Sequence, residues 1–111
     1  MKALLVTTTT DTKDEAAQIA SQLLDAHLVA CVQIVPGVES HYWWKGEKDV
    51  ASEWLCLIKT TEDNYEAVEA KIKKVHTYDE PEIIAVPLVL GSASYLDWFE
   101  NETKPREPSA E

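Results

Sequence analysis

The chain predicts an α+β fold in the order β-α-β-β-α-β, and three features carry that prediction. Strand-forming runs alternate with two stretches of helical periodicity in that order. Pro36 and Pro87 fall in the second and fourth predicted strands. Proline cannot donate to a ladder, so both strands belong at sheet edges. The second and third strands form one hairpin too long for a domain of this size. The split βαβ, or ferredoxin-like, sandwich has this order and these edges. An extended β-hairpin and a short C-terminal helix complete the expected fold.

Lys2 to Thr8 is an apolar run rich in Leu, Val and Thr and reads as a buried strand. Thr12 followed by Glu15 forms a capping box, each side chain answering the other's free backbone N–H. Ala16, Ile19, Ala20, Leu23 and Leu24 then mark one apolar helical face through about His27. From Leu28 to Trp44 strand formers dominate, interrupted at Pro36-Gly37, where a bulge or bend is expected. Lys45 to Asp49 reads as a turn and Val50 to Thr61 as the returning strand. A second helix covers about Glu62 to Val75, with Thr61 as its N-cap and Tyr65, Val68, Ile72 and Val75 on one face. Glu82 to Leu90 reads as the last strand, ended by Gly91. A short helix carries Tyr95, Leu96, Trp98 and Phe99. Residues 1–102 are expected to form a single domain. Residues 103–111 hold two prolines and four charges without apolar anchors and read as a flexible tail.

Hairpin length bears on assembly. The 17 residues from Leu28 to Trp44 would span ~56 Å if straight, at ~3.3 Å each. A compact chain of this size is only about 35 Å across. The far end of the hairpin would hold Tyr42, Trp43 and Trp44, with Trp54 on the returning strand. Aromatics left in water form a patch that monomers rarely keep. These four residues are therefore expected at an interface between copies of the chain, a homo-oligomer whose contacts also cover exposed strand edges.

The 111 residues include 20 acidic and 10 basic side chains, a net charge of −10. Such a surface repels a polyanion, which excludes nucleic acid as the expected partner. No run approaches the ~20 apolar residues of a membrane span. The first residues lack the apolar core and cleavage site of a secretion signal. With Cys31 and Cys56 set among apolar neighbours, a disulfide scaffold is not expected. The expected compartment is cytoplasmic.

Candidate chemistry is sparse. His27 lies at a helix C-terminus and His41 alternates with aromatics on the hairpin. His76 differs, because it opens a loop carrying Tyr78, Asp79, Glu80 and Glu82. Imidazole beside carboxylates suits a divalent cation such as Cu(II), and His76 is the candidate metal ligand. Cys31 and Cys56 read as small core residues. Neither an activated nucleophile nor a dinucleotide or phosphate-binding motif is present, so the chain is not expected to be an enzyme and no obligatory cofactor is expected.

Five segments carry a resemblance: Ala30-Cys31-Val32-Gln33-Ile34-Val35-Pro36-Gly37-Val38, Tyr42-Trp43-Trp44-Lys45-Gly46, Leu57-Ile58-Lys59-Thr60-Thr61, His76-Thr77-Tyr78-Asp79-Glu80-Pro81-Glu82-Ile83-Ile84 and Tyr95-Leu96-Asp97-Trp98. In order and spacing they resemble the CutA family of divalent-cation-tolerance proteins, from Leu4 to about Phe99. The resemblance implies a stable homotrimer of ferredoxin-like subunits, with long hairpins joining neighbouring sheets, and a role in tolerance to divalent cations such as copper. It also places His76 at the family's histidine position. Some members carry a cysteine late in the first strand and a second histidine before that position. Here Thr8 and Val75 stand there, which removes the two softest ligands. The related PII signalling trimers hold small ligands between subunits. That likeness implies an alternative role as a signalling or adaptor trimer, in which Glu53, Lys59, Tyr78, Glu80 and Glu82 line a polar intersubunit cleft for a small metabolite or anion or for a protein partner.

Overall fold

A computed structural model describes residues 1–104. Four strands and three helices follow in the order β1 (Ala3–Thr10), α1 (Lys13–Asp25), β2 (Val29–Trp44), β3 (Glu47–Thr61), α2 (Tyr65–Val75), β4 (Ile84–Pro87) and α3 (Ala93–Glu102). The strands form one antiparallel sheet in the order β2-β3-β1-β4. Both proline-bearing strands therefore stand at its edges, as the missing N–H of each proline requires.

The pleat divides the sheet's residues between two faces. Val6, Thr8, Cys56 and Ile58 point one way and meet Ala16, Ile19 and Leu23 of α1 and Val68 and Ile72 of α2 in the main core. Leu5, Thr7, Thr9, Leu55 and Leu57 alternate onto the opposite face, where burial is mostly partial. Only α3 covers part of that face, through a small cluster of Phe99 with Ala3 and Ala30.

Element boundaries depart from sequence expectation in ways the hydrogen bonds explain. Glu15 completes only half of the capping box. Its N–H donates to Thr12 Oγ1 at 3.2 Å, but its carboxylate turns away to accept from the Thr77 N–H at 3.2 Å. Helix α1 closes with His27 in the left-handed region, φ +55°. There His27 N–H donates to Leu24 O and Leu28 N–H to Leu23 O, the paired bonds of a Schellman end. Thr61 makes no capping bond; Glu62–Asn64 form a 3-10 turn before α2 instead. The expected strand Glu82 to Leu90 contracts to Ile84–Pro87. Leu88 N–H makes a last bond to Ala3 O, and β1 offers nothing beyond it to pair with. The turn expected over Lys45 to Asp49 contracts to Lys45-Gly46, so β3 starts at Glu47. Thr103, assigned from sequence to the tail, is buried and accepts from Asn64 Nδ2 through its carbonyl at 2.7 Å. Residues 105–111 of the expected tail lie outside the described residues.

The β2–β3 ladder slips its register between Val35 and Val38, the bulge expected at Pro36-Gly37. Beyond it the hairpin runs past the helices. The described molecule measures 49 × 35 × 22 Å, and its radius of gyration of 15.1 Å exceeds the ~13 Å of a compact chain this long.

Candidate functional site: an acidic cleft under the hairpin

The loop between α2 and β4 crosses to the less covered side of the sheet and faces the overhanging hairpin. His76 anchors it. The ring is wholly buried; Nε2–H donates to Thr9 O at 2.8 Å, and Nδ1 accepts from the Tyr78 N–H at 3.3 Å. This pattern assigns the neutral tautomer protonated at Nε2. Glu15 Oε2 lies 3.8 Å from Nδ1, and Glu15 Oε1 holds the Thr77 N–H. The start of the loop is thus pinned to β1 and α1.

Tyr78 then reaches the hairpin. Its hydroxyl donates to Glu53 Oε2 at 2.6 Å, and its ring packs against His76 with centroids 4.8 Å apart. Burial, then the bond to the Glu53 carboxylate, push the phenol well above its ordinary range. Further along, Glu82 accepts from Thr7 Oγ1 at 3.0 Å. Loop and hairpin enclose a cleft of about 810 Å³ whose lining includes Tyr42, Trp44, Glu53, Tyr78, Glu80 and Glu82. Asp49 and Asp79 add two more carboxylates, and neither Lys nor Arg lines it.

The structure therefore brings Glu53, Tyr78, Glu80 and Glu82 to one cleft and leaves Lys59 out. Lys59 Nζ donates to Tyr95 Oη at 3.2 Å and lies over that ring at 5.5 Å, on the side covered by α3. His76 underlies the cleft, and a metal would have to displace a protein partner from one of its ring nitrogens. Among the described residues no three His, Cys, Asp or Glu side chains converge as metal ligands. Both cysteines are free, and burial together with Glu15 pushes the Cys56 thiol up to about 11, which keeps it protonated and a poor ligand at neutral pH. The available donors are carboxylate oxygens.

Of the four aromatics assigned to an interface, Tyr42, Trp43 and Trp44 are exposed, at 41%, 70% and 40%. Trp54 differs, packing against its own subunit's core. Strand alternation turns it toward the helices, on the same face as Cys56 and Ile58. Sequence reasoning missed Glu15 and Asn64, both of which stabilise this architecture. Glu15 read as a helix cap, and nothing local signals a bond to a residue 62 positions away.

Fold and cleft define a class: an α+β subunit with one four-stranded antiparallel sheet, three helices and an acidic cleft under a projecting hairpin. Residues 4–102 match the CutA1 divalent ion tolerance protein family, and the chain belongs to it. It is 39% identical over 102 residues to Protein CutA 1, chloroplastic, of rice, covering 92% of this chain but 58% of the rice protein. The solved divalent cation tolerance protein (Cut A1) of Thermus thermophilus superposes with a TM-score of 0.89 at 38% identity, over 92% of this chain and 99% of that one. A structure described as the periplasmic divalent cation tolerance protein CutA of Archaeoglobus fulgidus gives 0.88 at 32% identity, over 92% and 99%. The relatives' names thus place them in different compartments. Among the described residues no helix is long and apolar enough to cross a membrane.

Proposed function

We propose that this chain assembles as a homotrimer of ferredoxin-like subunits that binds divalent cations weakly, through carboxylate oxygens, and contributes to divalent-cation tolerance. The acidic cleft carries this reading: five carboxylates line it with neither Lys nor Arg among them, in a chain whose family is named for divalent ion tolerance. Oxygen donors favour hard or borderline ions held loosely, Cu(II) among several, over thiolate-loving Cu(I). The role is that of a binding protein without catalysis, in the cytoplasm, where Cys31 and Cys56 stay reduced.

Assembly is supported by what one subunit leaves uncovered. Ile84, Val86, Val89 and Leu90 are 57%, 50%, 81% and 91% exposed along the β4 edge and just beyond it. Together with the hairpin aromatics they form more apolar surface than a monomer keeps in water. The anion-binding alternative lacks its cation, because Lys59 is engaged with Tyr95 outside the cleft.

Calorimetry of chelator-stripped protein with CuCl2 tests the metal reading. Weak binding is expected in the wild type, reduced in Glu80→Gln/Glu82→Gln and retained in His76→Ala. Equal affinity in the double carboxylate variant and the wild type would remove the cleft from the reading.

A further inference from the structure

We propose that the core beneath the cleft loop holds a binding site for one internal water molecule, seated between Thr8 of β1 and Glu15 of α1 beside Cys56. Two side-chain atoms are buried there without a hydrogen-bond partner among the described residues, Thr8 Oγ1 and Glu15 Oε2. Thr8 is wholly buried and Glu15 is 8% exposed. Other deeply buried threonines show what Thr8 lacks. Thr10 donates to Thr12 O at 2.8 Å, Thr60 to Leu28 O at 2.6 Å and Thr103 to Phe99 O at 2.9 Å.

Three relations bring the two orphaned atoms to one place. Thr8 stands opposite Cys56 in the β1–β3 ladder, on the face turned toward the helices. Side chains so opposed have Cβ atoms only ~4.5–5.5 Å apart. Glu15 enters from the first turn of α1, and after burial its carboxylate is the second cause that pushes the Cys56 thiol up to about 11. Glu15 Oε2 also lies 3.8 Å from Nδ1 of His76, whose Nε2–H donates to Thr9 O, next to Thr8 in the chain. The site is thus bounded by β1, β3, α1 and the start of the loop.

The chemistry of the donors selects water. A hydroxyl and a carboxylate oxygen buried without partners are strongly unfavourable, and polar interior sites take up water where apolar ones stay dry. One water can donate an O–H to Glu15 Oε2 and accept from the Thr8 hydroxyl and, weakly, from the Cys56 S–H. Three bonds are the usual complement of an internal water. A metal ion fits less well, because the thiol keeps its proton and no three His, Cys, Asp or Glu side chains converge among the described residues. The water bears on the cleft through Glu15, whose other oxygen accepts from the Thr77 N–H. Fixing one carboxylate oxygen fixes the other, and with it the entry of the loop. Thr8, Glu15 and Cys56 belong to one subunit and do not line the cleft, so the inference stands apart from the metal reading.

Full-length protein is crystallised without added metal and its structure determined at atomic resolution. One peak of solvent density is expected within ~2.6–3.2 Å of both Thr8 Oγ1 and Glu15 Oε2. Thr8→Val keeps the shape and removes the hydroxyl, and the sign of its effect on stability tests the same point in solution. Beside a bound water it deletes one hydrogen bond and leaves the water short of a partner. Chemical denaturation is then expected to show the unfolding equilibrium constant raised about three- to thirty-fold. Were the hydroxyl unpartnered, the same change would remove a desolvated group and lower that constant. Absence of the density peak, direct contact between Thr8 Oγ1 and Glu15 Oε2, or a Thr8→Val variant at least as stable as the wild type would each overturn the proposal. If Thr8→Val does not fold by circular dichroism, the density in the wild type decides.

Discussion

Single side chains here often serve a partner far away in sequence. Cys56 is the clearest residue with a measurable consequence. Its thiol is raised from 9.0 to about 11, first by burial and then by the Glu15 carboxylate. A thiol whose folded pKa lies above its unfolded value contributes stability that is whole below the unfolded value. That contribution is lost as pH rises through the folded one. Denaturation midpoints are therefore expected to hold steady up to about pH 9, as far as this thiol is concerned. They then fall toward pH 11 as the unfolded chain gives up a proton that the native one keeps. Cys56→Ala should flatten that alkaline decline; an identical slope in both proteins would show that the thiol does not titrate differently on folding. His76 shows how little a residue's type reveals of its work. The sequence makes it the natural metal ligand, and its loop position was legible. The hydrogen bonds that occupy both ring nitrogens were not, because Thr9 lies 67 residues away. At His27 the position was legible and the conformation was not. A non-glycine residue at φ +55° is tolerated there because the Schellman bonds hold the helix end.

Elements with strong local signals formed where the pattern placed them. Both long helices show an apolar stripe at helical spacing, although Leu24, expected on it, is 42% exposed, and the Pro36-Gly37 bulge falls at the expected break. The hairpin turn was drawn too wide. Lys45 and Gly46 both take positive φ, +51° and +82°, so two residues suffice and Glu47 already pairs with Trp44. A Cβ on Gly46 would meet nothing within 4 Å, so the cost of Gly46→Ala lies in the backbone alone. It is expected to be about 1–2 kcal/mol. Lys45→Asn should shift stability the other way, because Asn accepts the left-handed region readily. Chemical denaturation of the pair checks both signs, and a neutral Gly46→Ala would show that the turn opens freely. The last strand fails for a different reason. Its apolar run continues to Leu90, but a strand is as long as its partner allows, and β1 begins at Ala3.

For the whole molecule, the decisive feature is surface left for another copy to cover. Val89 and Leu90 are almost fully exposed, so Val89→Glu/Leu90→Glu should cost an isolated subunit within about 0.5 kcal/mol per site. An assembly burying these side chains cannot tolerate two carboxylates there. Sedimentation at low micromolar concentration is expected to show a trimer of the 12.5 kDa chain for the wild type and a smaller species for the variant. A wild type that sediments as one folded subunit would remove the proposed assembly. Element order, the edge positions of the proline-bearing strands, the projecting hairpin and the family were determined by the sequence itself. All of them rest on periodicity, missing N–H donors and chain length, which are properties of residues and their near neighbours. Only the tertiary structure decided that Glu53 and Tyr78 share a bond while Lys59 turns to Tyr95, that Trp54 faces the core, and that His76 is occupied. Those outcomes depend on which side chains the pleat and the loop bring within about 3 Å of one another. That proximity is set by the sum of the packing, and no local pattern encodes it.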